Sequence, residues 1–168
     1  MDSTEARALE RSSQLAGLLQ QHGWTCATAE SCTGGLIGSW ITALAGSSDY
    51  FMGGIISYSN AAKAELLHVP QSVLDSVGAV SAECAQAMAD GTRAAFGTQV
   101  GISSTGIAGP GGATARKPVG LIFVAVSTPA GVEVRELRLE GDRRSNIHDS
   151  ALAALDLAVH VLEAQQTH

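Results

Sequence analysis

The segment WTCATAESCTGGLIG at residues 24–38 indicates the class of fold, because it joins a predicted strand to a predicted helix through a loop of small residues. Residues 24–30 are typical of a short strand, and residues 34–44 are predicted to form a helix that Gly46 ends. A strand that leads into a helix is typical of α/β proteins. The connecting loop places three candidate nucleophiles side by side, directly before two glycines: Ser31, Cys32 and Thr33.

Hydrophobic periodicity along the rest of the chain predicts one α/β domain that covers residues 1–168. The other predicted helices span residues 3–21, 61–67, 72–76, 82–96 and 145–165. The other predicted strands span residues 49–59, 99–106, 120–128 and 132–140, with the last two joined as a hairpin. This order, mainly α-β-α-β-α-α-β-β-β-α, favours a three-layer α/β/α domain with helices on both faces of a mixed, mostly parallel sheet.

The composition limits the classes of partner that we expect. The 168 residues are 45% apolar, enough for a buried core, and carry a net charge of −6 without a basic run. Because duplex binding needs a cationic surface, no nucleic-acid partner is expected. The three cysteines and five histidines show no metal-ligand spacing, so no metal is expected. A charged N-terminus and the lack of a long apolar run predict a cytoplasmic protein with no membrane partner.

The segment SYSNAAKAELL at residues 57–67 brings a tyrosine and a lysine to a predicted strand-to-helix junction. With Asn60 as the N-cap, Lys63 falls in the first helical turn, where the positive end of the helix dipole would lower the pKa of an amine. A lysine in that environment can act as a base. A solvated Lys63 beside a half-buried Tyr58 is the alternative that this segment alone leaves open.

The segment TGIAGPGGATARKPVG at residues 105–120 follows the end of a predicted strand, the place where open α/β sheets bind ligands. Its glycines offer clustered backbone N–H groups to an anion or an amide carbonyl, although the pattern is neither a P-loop nor G-x-G-x-x-G. Long irregular loops in compact domains are usually functional or disordered, and two prolines limit the freedom of this one. We therefore expect it to line a pocket.

Two arginines, Arg143 and Arg144, lie just before the last predicted helix. Arginine beside a helix N-terminus suits a phosphate or a carboxylate, and a solvated helix entry is equally compatible with the sequence. Together with Ser31, Lys63 and Tyr58, these segments supply the groups of a Ser–Lys amidase whose oxyanion is held by backbone N–H groups.

Four blocks of the sequence resemble the CinA C-terminal domain family, the nicotinamide-nucleotide amidases: TAESCTGGLIG, GGIISYSNAAKAELLHVP, GAVSAECAQAMADG and STGIAGPGGATARKPVG. The resemblance extends over residues 16–162, and the chain resembles the stand-alone form of the family. It implies hydrolysis of nicotinamide mononucleotide to nicotinate mononucleotide and ammonia, without a metal or another cofactor. It also implies a homo-oligomer, which the Ala- and Gly-rich helix faces favour.

The same resemblance implies roles for individual residues. Ser31 would be the nucleophile, Lys63 the base and Tyr58 a proton relay or a positioning partner. Arg143 would meet the substrate phosphate, and Arg116 departs from the family's pattern, in which an acidic residue is usual. The other residues expected to contact substrate lie in the two glycine-containing loops: Glu30, Thr33, Gly34, Gly35, Thr105, Gly106, Gly109, Gly111 and Gly112.

Two alternatives remain open at the level of the sequence. In the first, Cys32 is the nucleophile, because a thiolate is intrinsically more nucleophilic and a helix N-terminus would lower its pKa. No histidine lies in the glycine-rich blocks to serve that thiol, whereas a lysine base suits the hydroxyl of Ser31. In the second, the chain is a non-catalytic nucleotide-binding module, or a regulatory one connected with competence or DNA damage, and cleaves no bond.

Overall fold

The computed structural model describes residues 1–166, which form a five-stranded sheet with helices on both faces. The helices are α1 (Ser3–His22), α2 (Leu36–Thr42), α3 (Asn60–Leu67), α4 (Gln71–Ser76), α5 (Ala82–Phe96) and α6 (Arg143–Gln166), and a short 3-10 helix covers Ser47–Asp49. The strands are β1 (Cys26–Glu30), β2 (Phe51–Ile56), β3 (Val100–Gly106), β4 (Leu121–Thr128) and β5 (Gly131–Arg138).

The strand order is β2-β1-β3-β4-β5. Strand β1 pairs in parallel with β2 and β3, whereas β4 pairs antiparallel with β3 and with β5. Strand β4 therefore runs against the other four described strands, which makes the sheet mixed. The three-layer α/β/α fold class predicted from the sequence is confirmed, including the β4–β5 hairpin.

The two helical layers bury different sets of side chains. Helices α1, α2 and α6 pack on one face, where Leu15, Ile37 and Leu155 are fully buried. Helices α3, α4 and α5 pack on the other face, around Leu67 and Met88. Each such buried side chain contributes about 1.5–3 kcal/mol relative to exposure. The consequence for function is that the loop after β1 lies between two separately packed layers.

Two helix starts differ from the sequence-based prediction. Helix α2 begins at Leu36 and not at Gly34, because Gly34 and Gly35 adopt left-handed backbone angles, with φ of 61° and 105°. The N-cap of α3 is Ser59 and not Asn60, since the Ser59 hydroxyl accepts from the backbone N–H of Ala62. Both residue types cap helices well, so the sequence alone did not separate them.

Candidate active site

Ser31 and Lys63 come together at the carboxyl-terminal end of β1. Lys63 Nζ lies 3.0 Å from Ser31 Oγ, and Lys63 is only 2% exposed. The same Nζ lies 2.8 Å from the carbonyl oxygen of Ser57 and 3.4 Å from that of Tyr58. Carbonyl oxygens can only accept, so an uncharged Lys63 amine directs its two N–H groups at them and its lone pair at the Ser31 hydroxyl. This is the arrangement of a base on a hydroxyl nucleophile.

The turn between β2 and α3 places Lys63. The N–H of Ser57 donates to the carbonyl oxygen of Glu30 at 2.9 Å, which continues the pairing of β2 with β1 past the end of β2. Ser59 then caps α3, so Lys63 is the fourth residue of the helix and its side chain reaches back to the carbonyls of the turn. A single short turn thus supplies both the lysine and the acceptors that orient it.

Burial lowers the pKa of Lys63 below the usual value of a lysine, because the buried ammonium loses its hydration. The neighbouring thiols of Cys84 and Cys32 act in the opposite direction and less strongly. The largest cause is desolvation, a contribution that the sequence analysis did not anticipate. A lowered pKa increases the fraction of uncharged amine, which is the form that can accept the Ser31 proton.

Cys32 follows Ser31 but packs in the core formed with α1, α2 and α6, on the other face of the sheet from Lys63. It is 6% exposed, and burial raises the pKa of its thiol to about 12. The thiol is therefore protonated at neutral pH and is a poor nucleophile. The expectation that a helix N-terminus would lower the pKa of Cys32 is wrong.

Glu30 and Thr33, both predicted to contact substrate, are buried beneath the start of α2 instead. Glu30 Oε1 accepts from the Thr33 hydroxyl at 2.7 Å and from the N–H of Ile37 at 2.8 Å, and its Oε2 accepts from the N–H of Gly38 at 3.0 Å. Thr33 Oγ1 also lies 2.6 Å from Ser104 Oγ. These side chains support the loop after β1, which corrects their predicted role.

A cavity of about 180 Å³ lies beside the loop that carries Ser31 and the turn that precedes α3; neither Ser31 nor Lys63 is among its lining residues. Cys32, which follows Ser31, and Tyr58, whose carbonyl oxygen faces Lys63, form one side of it. The predicted loop supplies much of the remaining lining, and the start of α6 supplies the rest: Gly106, Ile107, Ala108, Gly109, Gly111, Gly112 and Arg143. Five of the residues expected to contact substrate therefore surround one space, and contact with substrate stays a prediction for them.

Arg143 brings a positive charge to this cavity. Its Nη1 donates to the carbonyl oxygen of Gly109 at 2.8 Å, and its Nη2 donates to the hydroxyl of Tyr58 at 3.1 Å. Both acceptors are uncharged, and no carboxylate in residues 1–166 forms an ion pair with Arg143. The guanidinium can therefore attract an anionic group of a ligand.

Three other predicted residues are Tyr58, Gly34 and Gly35, of which only Tyr58 lines the cavity. The hydroxyl of Tyr58 accepts from Arg143, and Lys63 contacts Ser31 directly; the role of Tyr58 as a proton relay or a positioning partner stays a prediction. Gly34 and Gly35 shape the loop before α2 but lie outside the cavity lining.

The side chain of Thr105 points away from the cavity. It is 1% exposed, and its hydroxyl donates to the carbonyl oxygen of Ala79 at 2.8 Å. The expected substrate contact through Thr105 is therefore corrected to a link between β3 and the segment before α5.

Sequence reasoning missed Asn146, which clamps the glycine-rich loop to α6. Asn146 is fully buried, donates to the carbonyl oxygens of Ala108 and Gly141, and accepts from the N–H of Gly141. A polar residue early in a predicted helix gives no signal of such a role, because its main partner lies 38 residues away in sequence.

A larger cavity, of about 890 Å³, lies between the start of α5, the loop around Arg116 and strand β5. It is lined partly by Val80, Phe123 and Arg138, and it holds neither Ser31 nor Lys63. The smaller cavity is the candidate site, because its lining includes Cys32, which follows Ser31, and Tyr58, whose carbonyl oxygen lies 3.4 Å from Lys63 Nζ.

Two further properties concern residues 1–166 alone. None of the helices there is both long and apolar enough to cross a membrane. The same part of the chain contains no group of three or more His, Cys, Asp or Glu side chains that could hold a metal ion.

Comparison with known proteins identifies relatives over nearly the whole chain. The model of the CinA C-terminal domain matches residues 9–162. A CinA-like protein of Syntrophotalea carbinolica is 48% identical over 142 residues, which is 84% of this chain and 34% of that protein. One of Geotalea uraniireducens is 46% identical over 142 residues and is covered to the same extent. The chain therefore spans about a third of the length of these curated relatives.

Solved structures of the same kind have the same fold. Competence/damage inducible protein CihA from Agrobacterium tumefaciens is 35% identical with a TM-score of 0.89, and the match covers 94% of this chain and 96% of that one. A competence-damaged protein (CinA) superfamily protein from Klebsiella pneumoniae is 29% identical with a TM-score of 0.89, covering 94% of this chain and 98% of that one. The chain belongs to the CinA C-terminal domain family.

Proposed function

We propose that this chain is an amidohydrolase that converts nicotinamide mononucleotide to nicotinate mononucleotide and ammonia. The observation that carries the proposal is the buried Lys63 amine, 3.0 Å from Ser31 Oγ, with two carbonyl oxygens as its other partners. A surface lysine would be charged at neutral pH, whereas burial lowers the pKa of this one. A side chain in that environment suits proton transfer.

The first half of the reaction forms an acyl-enzyme. Ser31 Oγ attacks the carboxamide carbon, and the hydroxyl proton passes to Lys63 Nζ. The carbonyl oxygen becomes an oxyanion, for which the N–H groups of Cys32 and Thr33 are the available donors, since they donate to no oxygen atom among the described residues. The N–H of Gly34 is excluded, because it donates to the carbonyl oxygen of Ser31.

The second half regenerates the enzyme. When the tetrahedral intermediate collapses, the C–N bond breaks and the Lys63 ammonium returns a proton to the leaving nitrogen, which departs as ammonia. Water then attacks the ester carbon with Lys63 taking its proton, and the C–O bond to Ser31 breaks. Nicotinate mononucleotide leaves, and the Ser31 hydroxyl is restored.

Arg143 and the glycine-rich loop suit the phosphate of a nucleotide. The guanidinium faces the cavity without a carboxylate partner in the described part of the chain, and the cavity wall contains Gly109, Gly111 and Gly112. Glycine lets an anion approach backbone N–H groups closely. In this proposal the carboxamide of the nucleotide lies towards Ser31 and its phosphate lies towards Arg143.

The test is ammonia release from nicotinamide mononucleotide by the purified protein in the presence of a metal chelator. We expect turnover by the unmodified protein and a loss of about 10³-fold or more in Ser31→Ala. Cys32→Ala is the matched control, because it removes a neighbouring nucleophile and should retain turnover. Turnover that survives in Ser31→Ala and disappears in Cys32→Ala would reverse the assignment. Nucleotide binding measured by calorimetry without ammonia release would favour the non-catalytic module.

A further inference from the structure

We infer that Glu30, Thr33 and Ser104 form a positioning device that holds the backbone of residues 31–33 in the shape that receives the oxyanion. The inference rests on the proposed function, since it assigns these residues to the same reaction. None of the three touches the cavity; they act through the backbone on the opposite side of the loop from Lys63. They are therefore positioning residues.

The three side chains form a hydrogen-bonded chain with one direction. Two oxygens of Glu30 accept from backbone N–H groups that can only donate, so Glu30 acts as the acceptor of the chain. The Thr33 hydroxyl has one proton and donates it to Glu30 at 2.7 Å. The remaining contact, 2.6 Å between Thr33 Oγ1 and Ser104 Oγ, must then use the proton of Ser104. The chain runs Ser104 to Thr33 to Glu30.

Ser104 contacts the nucleophile loop through its backbone and through its side chain. Its carbonyl oxygen accepts from the N–H of Ser31 at 3.0 Å, and its hydroxyl contacts Thr33. The residues on both sides of Cys32 are thus attached to a single residue of β3. The N–H of Cys32, the residue after the nucleophile, is left between these attachments and donates to no oxygen atom in residues 1–166.

The burial of Glu30 indicates that this device does more than start a helix. Glu30, Thr33 and Ser104 are 2%, 4% and 0% exposed, and no ion pair of the described residues includes Glu30. Burying a carboxylate without a cation is costly, whereas an exposed Ser, Thr or Asp would cap α2 at less expense. The hydrogen bond from the Thr33 hydroxyl to Glu30 and the contact of Thr33 with Ser104 fix the loop. A backbone N–H group that is held in place before the reaction stabilises an oxyanion without reorganising.

Thr33→Val and Thr33→Ser form the matched pair that tests this inference. Valine keeps the shape of threonine and removes the hydroxyl, whereas serine keeps the hydroxyl and removes the methyl group. We expect Thr33→Val to lower kcat by about 10–100-fold, less than the loss of a whole oxyanion donor, with KM changed less than about 3-fold. Thr33→Ser should remain close to the unmodified protein. Equal kcat in Thr33→Val and the unmodified protein would overturn the inference.

A second readout separates this inference from the proposed function. The rate at which diisopropyl fluorophosphate labels Ser31 depends on the nucleophile and on its oxyanion donors, whatever the natural substrate is. Slower labelling in Thr33→Val but not in Thr33→Ser supports the positioning role even if no ammonia is released. Labelling at equal rates, or no labelling of Ser31 in the unmodified protein, contradicts it.

Ser104→Ala is a second variant that tests the same hydrogen bonds if Thr33→Val does not fold. It removes the hydroxyl and leaves the carbonyl oxygen that accepts from Ser31, so the sheet pairing is kept. Thermal unfolding identifies which variants are folded, and kcat is compared among those alone. We expect Ser104→Ala to lose kcat in the same direction as Thr33→Val, and an unchanged kcat in folded Ser104→Ala would contradict the chain of hydrogen bonds.

Discussion

Lys63 and Glu30 are buried ionisable side chains on opposite faces of the sheet, both close to the end of β1. Each is 2% exposed, and neither forms an ion pair with another described residue. They differ in their partners. Three donors surround the oxygens of Glu30, whereas the amine of Lys63 meets two carbonyls and one hydroxyl.

These different partners explain how the loop after β1 can be held rigidly on one side and stay open to reaction on the other. A carboxylate that receives three hydrogen bonds is held in one orientation. The partners of Lys63 suit an ammonium, which can donate to all three, and an uncharged amine, which donates to two and accepts from the hydroxyl. The contacts of Glu30 hold the loop, and those of Lys63 suit the proton transfer that we propose for it.

The strongest test of the comparison is Lys63→Met, which keeps the length and volume of the side chain and removes the amine. Because it removes the base, we expect ammonia release to fall by about 10²–10⁴-fold, while the protein stays folded. Steady-state kinetics and circular dichroism measure the two effects. Turnover within a few fold of the unmodified protein would show that Lys63 is not the base.

Arg143→Ala tests a charged side chain that, unlike Lys63 and Glu30, lines the cavity. Loss of a charged hydrogen bond to phosphate should raise KM for nicotinamide mononucleotide by about 10–100-fold. KM for the corresponding nucleoside, which has no phosphate, should change little. The two KM values are measured with the same enzyme preparation, and an equal rise for both would contradict a phosphate contact.

Glu30→Gln tests the holding face. The amide has one oxygen and one NH₂ group, so it cannot accept from Thr33, Ile37 and Gly38 at both ends, and at least one donor loses its partner. We expect a loss of about 1–3 kcal/mol in the free energy of unfolding. Denaturation in urea measures it, with Glu163→Gln on the surface as the control. A stability equal to that of the control would remove Glu30 from its holding role.

The titration of Lys63 should be visible in activity and in stability. Because the folded pKa is lowered below the usual 10.5, kcat/KM should rise with pH along a limb whose midpoint lies below that value. The unfolded chain binds the proton more tightly, so the free energy of unfolding should also rise between the folded pKa and 10.5. Lys63→Met should lack this rise, and a rise of the same size in Lys63→Met would assign it to another group.

The smallest effect is expected for Cys32→Ala. Since burial raises the pKa of the thiol to about 12, the proposal assigns no reacting role to Cys32, and ammonia release should stay within about 3-fold of the unmodified protein. Removing a buried side chain that packs on the Glu30 face should cost stability instead. Comparing kcat with the midpoint of thermal unfolding separates the two, and a large loss of kcat at unchanged stability would contradict this assignment.

The sequence predicted most of the fold because its periodicity is clear. Strand β4 is continuously buried and β5 alternates, as their side chains indicate. Ser31 and Lys63 were chosen as nucleophile and base from their residue types and from the family resemblance, and these roles stay predictions.

The sequence analysis did not determine on which face of the sheet each side chain lies. Successive side chains at the end of a strand point to opposite faces, so Glu30 and Ser31 could not both face one ligand. Applied to Glu30, that rule would have predicted contacts with the start of α2 and not with the substrate. The contact between Asn146 and Ala108 had no such rule, because it depends on how the loop and α6 meet in space.

The position of Arg143 and Asn146 has a consequence for how such a protein can change. Both belong to the first turn of α6, whereas Ser31 follows β1 and Lys63 belongs to α3. The turn of α6 thus carries the cavity's positive charge and holds its loop, while the bond-breaking groups belong to other elements. Substitutions in that one turn can redirect the choice of substrate during evolution while Ser31 and Lys63 are inherited unchanged.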